Sequence, residues 1–257
     1  MIKAKKNLIP INLDSSLSID TSDVPDANDW IFAPIGAGGV GSRVFRENIS
    51  SHPEIMMLDE HNLLSQYYYY ADGDETVVVS NIREILEIDR KEISESRLFG
   101  EKSIQASTRA FWHHQIFPGC KIIILHRNYL DAFASRFPIS EEEMKHRDHC
   151  NNRIRNIIIE FYLEPNTFWK DNSDNLHVVY WKDMKDRDRA KAAYIEIFEF
   201  LGVDPEAVDF DDITNRLRHS LSKTDWQKSE VMTQFVDWLA NEDPELTYKL
   251  INSHWHL

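Results

Sequence analysis

Two cysteines, Cys120 and Cys150, are all that the 257 residues contain, which excludes the disulfide framework of a small secreted scaffold. Long apolar runs are missing too: no stretch approaches the roughly 20 residues that a membrane-crossing helix needs. The first residues are basic, but no apolar core of the kind a secretory signal carries follows them. Residence in the cytoplasm, with no transmembrane segment, is the expectation. Basic charge is also short. Lys and Arg total 29 against 43 Asp and Glu, a net charge of -14, and such a surface repels duplex nucleic acid and anionic lipid. A small partner is expected, and the sequence leaves the oligomeric state open.

Glycine is scarce as well, eight in all, yet four of the eight fall between residues 36 and 41. A short apolar run at 30–34 precedes them, and Val44, Phe45 and Ile49 follow at helical spacing over 43–49, so the local order is strand, glycine loop, helix. Further strands are expected at 55–58, 121–125 and 176–180, the second as a short apolar run typical of a buried parallel strand. A β-branched run at 76–79 is a further strand or a loop edge. Helices are expected at 82–88, 106–116, 128–137, 141–169 as one or two pieces, and 187–201, ending at Gly202. The C-terminal third reads as mostly helical.

Strands alternating with helices predict an α/β protein of three layers, α/β/α, with a central, mainly parallel sheet. With 42% hydrophobic residues the chain can bury a full core, read here as one domain over 30–257 behind a poorly defined arm at 1–29.

The loop Gly36-Ala37-Gly38-Gly39-Val40-Gly41-Ser42-Arg43 has the spacing G-x-x-x-x-G of a nucleotide phosphate loop, but Ser42 stands where a Walker lysine would. Glycines let the backbone N–H groups converge on an anion, and the following helix contributes its positive end. The same cluster is equally a tight turn with no ligand. A kinase or NTPase would also need the lysine and a magnesium-binding hydroxyl, which Ser42 and Arg43 do not supply in that order.

Pro34, Gly41 and Ser42, with the segment Ser51-His52-Pro53-Glu54-Ile55, resemble the 5′-phosphosulfate loop of PAPS-dependent sulfotransferases, which lack lysine at the Walker position. The family's Arg-Asn-Pro-x-Asp pattern, followed by a serine, is matched by Arg127-Asn128-Tyr129-Leu130-Asp131 and Ser135, with Tyr129 in place of proline. Gly100-Glu101-Lys102-Ser103, Phe117-Pro118-Gly119-Cys120-Lys121, Tyr180-Trp181-Lys182-Asp183-Met184 and Phe200-Leu201-Gly202 follow in the family's order. The resemblance implies a P-loop NTPase-like fold. It also implies PAPS or PAP (3′-phosphoadenosine 5′-phosphosulfate or its bisphosphate product) as the bound nucleotide, with Arg127 and Ser135 on the 3′-phosphate. The acceptor would be a hydroxyl on a small molecule, lipid or sugar.

Within that resemblance Glu60 matches a catalytic glutamate that precedes a histidine. His61 is the competing base, since its ordinary pKa lies near neutrality. Lys102, read as a turn lysine, is a candidate for contact with the sulfuryl group. Arg216, Arg218 and Lys223 form a locally basic stretch that either closes over the 3′-phosphate or is a solvated helix face. The family holds a basic residue two positions before the glycine matching Gly41; here that position is Gly39. Arg43, Lys102 or a late basic residue would then supply the charge, or the protein binds the nucleotide without efficient transfer. A kinase or NTPase with a degenerate loop is the remaining alternative. No closed metal site is expected from His146, His149 and Cys150 or from His113 and His114.

Overall fold

The computed structural model describes residues 31–35, 40–59, 98–102, 119–137, 139, 143, 145–172, 174–220 and 225–252. The expected strand at 76–79 and the expected helices at 82–88 and 106–116 lie outside them. Among the described residues five strands form one sheet: β1 (Ile31–Ile35), β2 (Ile55–Asp59), β3 (Leu98–Lys102), β4 (Lys121–His126) and β5 (Leu176–Tyr180). Their spatial order is β2-β3-β1-β4-β5, and every pairing is parallel.

β4 is Lys-Ile-Ile-Ile-Leu-His, and all of its residues after Lys121 are buried. Alternate side chains of a strand point to opposite faces, so both faces of the sheet are covered here. On one face Leu125 and Val179 meet Val44 and Phe45 of α1 (Ser42–Ile49) and Tyr194 of α5 (Arg187–Leu201) around a small cavity. On the other face the His126 and Tyr180 rings meet edge to face at 5.6 Å, and His126 meets Tyr129 of α2 (Tyr129–Arg136) at 5.3 Å.

The helix ends follow local chemistry. Asp186 accepts from the N–H groups of Asp188 and Arg189 and so caps α5. At its other end Gly202 takes the left-handed conformation, φ 81°, and Val203 N donates to Phe198 O at 3.0 Å, closing the last turn. The stretch 141–169 is not one continuous α-helix. α3 (Arg147–Ile158) passes into a π turn at Ile159–Leu163 before α4 (Glu164–Asn172). Pro165 is the physical reason: it has no N–H to give the preceding turn, and its ring would strike the carbonyl four residues back. The C-terminal part folds as α6 (Phe210–Ser220), α7 (Glu230–Glu242) and α8 (Pro244–Ile251). No helix among the described residues is long and apolar enough to cross a membrane.

Buried hydrogen bonds tie these layers together. Asn48 of α1 donates to Tyr194 Oη at 3.0 Å, and Lys121 at the start of β4 donates to Leu201 O at 2.9 Å. The Tyr194 hydroxyl lies in the core, and desolvation pushes its pKa well above the ordinary tyrosine value.

Candidate functional site

The strand order places a crevice before any side chain is considered. From β1 the chain crosses to β2 on one side of the sheet, whereas β4 leads to β5 on the other, so β1 and β4 flank the point where the connections diverge. Ligands of open parallel sheets collect there, outside the carboxyl ends of the strands. Ile35, the last residue of β1, is level with Ile124, and β4 continues to His126. The glycine loop leaves the end of β1, and Arg127 leaves the end of β4.

On the β1 side Val40 is buried at 4% exposure and roots the loop in the core, while Gly41 precedes α1 with φ 85°. A Cβ on Gly41 would lie 2.0 Å from Cζ3 of Trp181, so glycine is required both by conformation and by space. Among the described residues no side chain caps α1, and its first turn holds no acidic residue. Its first N–H groups and the positive end of its dipole therefore meet no carboxylate of that turn. Ser42 is buried at 8% and Arg43 is exposed.

On the β4 side Arg127 is a buried cation, 2% exposed. Its Nη1 donates to Ser135 Oγ at 3.3 Å, in the second turn of α2, and Ser135 Oγ donates to Ala132 O at 2.9 Å. The guanidinium carbon lies over the Trp181 ring, 5.2 Å from its centroid. Burial pushes the Arg127 pKa below the ordinary arginine value, against the pull of Asp131 and of Tyr162. Desolvation outweighs that attraction, and an arriving anion would recover what burial costs.

The rest of the arginine motif is architectural. Asn128 accepts from the N–H groups of Leu130 and Asp131, capping α2, and donates to Leu250 O at 3.2 Å in α8. Asp131 accepts from Trp226 N at 2.8 Å, which anchors the chain just beyond residues 221–224 to the helix carrying Ser135. Tyr129 occupies the first helical position, where proline is favoured by its fixed φ. Its ring packs 5.7 Å from that of Tyr162, and its Oη accepts from Asn166 Nδ2 at 3.0 Å. Desolvation pushes the Tyr129 pKa up to about 12. Tyr129→Phe is expected to strand the Asn166 donor in the interior at a cost of about 1–2 kcal/mol, lowering Tm by roughly 2–6 °C for a chain of this size. Thermal denaturation checks this, and an unchanged Tm would contradict the assignment.

Lys102, Arg216 and Arg218 have definite places in the fold. Lys102 is not in a turn: it closes β3, level with Asp59, the last residue of β2. The register Phe32↔Gly100 sets it beside Pro34, at the same end of the sheet as the loop. Arg216 is not at the loop. Its Nη1 donates to Glu47 O at 2.8 Å and its other amino group pairs with Asp212. Glu47 lies in the last turn of α1, where exposed carbonyls attract a cation, so Arg216 serves the end of α1 opposite to Ser42. Arg218 lies on α6. Gly36, Ala37, Gly38, Gly39, Glu60, His61 and Lys223 lie outside the described residues.

Trp181 is the contact that sequence reasoning missed. The signal was indirect. Tyr180 pairs with His126, so the residue after β5 stands beside the residue after β4. The cavity between Gly41, His126 and Trp181 is about 20 Å³, room for a single water. It is a packing seam behind the loop and too small for a nucleotide.

No family model matches this chain, and no curated protein matches it. Solved structures do. A sulfotransferase from Alicyclobacillus acidocaldarius superposes with a TM-score of 0.50 at 18% identity, covering 88% of this chain and 96% of that one. The sulfotransferase STF9 from Mycobacterium avium superposes with a TM-score of 0.51 at 10% identity, covering 86% and 78%. At such identities the likeness concerns the backbone fold. The chain has the sulfotransferase fold.

Proposed function

We propose that this protein is a sulfotransferase that takes the sulfuryl group from PAPS and places it on a hydroxyl of a small molecule, lipid or sugar. One observation carries the reading: an uncapped, left-handed Gly41 turn and a buried Arg127–Ser135 pair stand at the carboxyl ends of adjacent strands. The first suits a 5′-phosphosulfate, which backbone N–H groups and a helix end can hold without lysine. The second suits a 3′-phosphate, for which a forked guanidinium and a hydroxyl are matched donors.

Sulfuryl transfer needs an acceptor oxygen in line with the leaving phosphate, a base for its proton and donors that stabilise the departing charge. In this reading the N–H groups of the α1 first turn hold the leaving phosphate. Lys102, the last residue of β3, is in this reading the cation for the bridging oxygen. Glu60, one residue past the end of β2, takes the acceptor proton, with His61 as the alternative base. Arg127 and Ser135 orient the nucleotide from its other end.

Labelled sulfate transferred from PAPS to any member of a panel of phenols, alcohols, sterols and sugars supports the proposal. Tight PAP binding with no transfer across that panel favours a second reading, a sulfotransferase-like nucleotide-binding protein. Its motivation is Gly39, where the resembling loops hold a cation.

A further inference from the structure

We infer that Trp181 is a positioning residue that locks Arg127 against the glycine loop, so that the two phosphate grips behave as one unit. This rests on the nucleotide reading above. Trp181 is fixed through its backbone: its N–H donates to His126 O at 2.8 Å, carrying the β4–β5 ladder one step past Tyr180, and its carbonyl accepts from Met184 N at 3.2 Å. From there the indole reaches both grips. Three of its ring atoms lie within 3.1 Å of where a Gly41 Cβ would stand, and the Arg127 guanidinium lies over the ring.

The chemistry of each partner explains the arrangement. A guanidinium binds anions through the N–H groups at its edge, and its flat face is weakly hydrated. An aromatic ring under that face attracts the cation without consuming any donor. Nη1 can then keep its bond to Ser135 while the edge stays oriented toward the crevice. An unsupported arginine loses several rotatable bonds of freedom when it meets a phosphate; one already stacked has lost them beforehand. The indole Nε1 is buried and has no hydrogen-bond partner among the described residues. Among them the ring is held by packing, with Gly41 and Arg127 against it.

The test compares two nucleotides that differ only in the 3′-phosphate, PAP and 5′-AMP, by calorimetry. The wild type is expected to prefer PAP. Trp181→Leu keeps apolar bulk against Gly41 but removes the π face; it should reduce the PAP to 5′-AMP affinity ratio about tenfold, while changing 5′-AMP affinity less than about threefold. Trp181→Phe, with a weaker π face, should reduce the ratio about two- to fivefold. On an Arg127→Ala background Trp181→Leu should leave the ratio unchanged, since the two residues act as a pair.

A role in packing alone would lower both affinities together and leave the ratio alone, and that result overturns the inference. If Trp181→Leu does not fold, Trp181→Phe decides, and a wild-type ratio in that variant overturns it equally. A wild type that binds PAP no better than 5′-AMP is a different outcome: it refutes the nucleotide reading itself.

Discussion

Arg127→Ala is expected to weaken PAP binding by about 30-fold or more while leaving the protein folded. The cation is buried, hydrogen-bonded to Ser135 and stacked on Trp181, so a 3′-phosphate would meet a desolvated, pre-oriented donor. Removing one partner of such a charge pair typically costs about 2–5 kcal/mol, which is roughly 30- to several-thousand-fold in affinity. The fold should survive, because Asp131 keeps its bond to Trp226 N and α2 keeps its Asn128 cap. Arg127→Lys retains the charge but loses the flat fork, and about a tenfold loss is expected. Isothermal titration with circular dichroism as a folding control reads both. An Arg127→Ala protein with affinity within about threefold of wild type, a change of well under 1 kcal/mol, would remove the arginine from the site.

Gly41→Ala should be the most damaging single-atom addition near the site. A left-handed backbone costs an L-residue about 1–2 kcal/mol. The added Cβ would also sit 2.0 Å from the Trp181 ring, so either the indole or the turn must move. Overpacking of that kind adds about 1–3 kcal/mol, and the sum of roughly 2–5 kcal/mol lowers Tm by about 10 °C in a chain of this length. PAP affinity should fall with it, because the displaced indole is the one beneath Arg127. Gly202→Ala is the internal control. Its φ of 81° carries the same backbone penalty, but the nearest atom to a new Cβ is Lys121 Nζ at 3.7 Å. It should therefore cost only the backbone part, about 1–2 kcal/mol, and leave the nucleotide affinity alone. Equal losses in the two variants would mean that the Trp181 contact carries no weight.

Much of the frame was legible because its signals are local. The run of isoleucines in β4, the Gly202 stop of α5, and the alternation of strand with helix need no knowledge of distant contacts. The strand at 176–180 and the helix at 187–201 agree with the structure residue for residue. The order β2-β3-β1-β4-β5 was not readable, since alternation implies parallel strands without saying which become neighbours. That order is what sets the glycine loop beside Arg127.

The missed contacts are all tertiary. Trp181 becomes part of the site only through the pairing of Tyr180 with His126. Arg216 carries the charge a phosphate wants, but its partner is a carbonyl at the end of α1, brought close by the packing of α6. Lys102 read as a turn residue, whereas parallel pairing on both sides keeps β3 extended past Gly100. Tyr129 replaces a proline that local preference would favour, and only the burial of its ring and the Asn166 bond explain the exchange.

The central claim is that the ends of β1 and β4 form one site for a nucleotide phosphorylated at both its 5′ and 3′ positions. Calorimetric titration of the unaltered protein with PAP, 5′-AMP and ATP, each with and without magnesium, tests it most directly. The account predicts that PAP binds most tightly, by about 100-fold over 5′-AMP as two charge-assisted bonds from Arg127 and Ser135 would provide, and that magnesium makes no difference. ATP binding that exceeds PAP and depends on magnesium would contradict it.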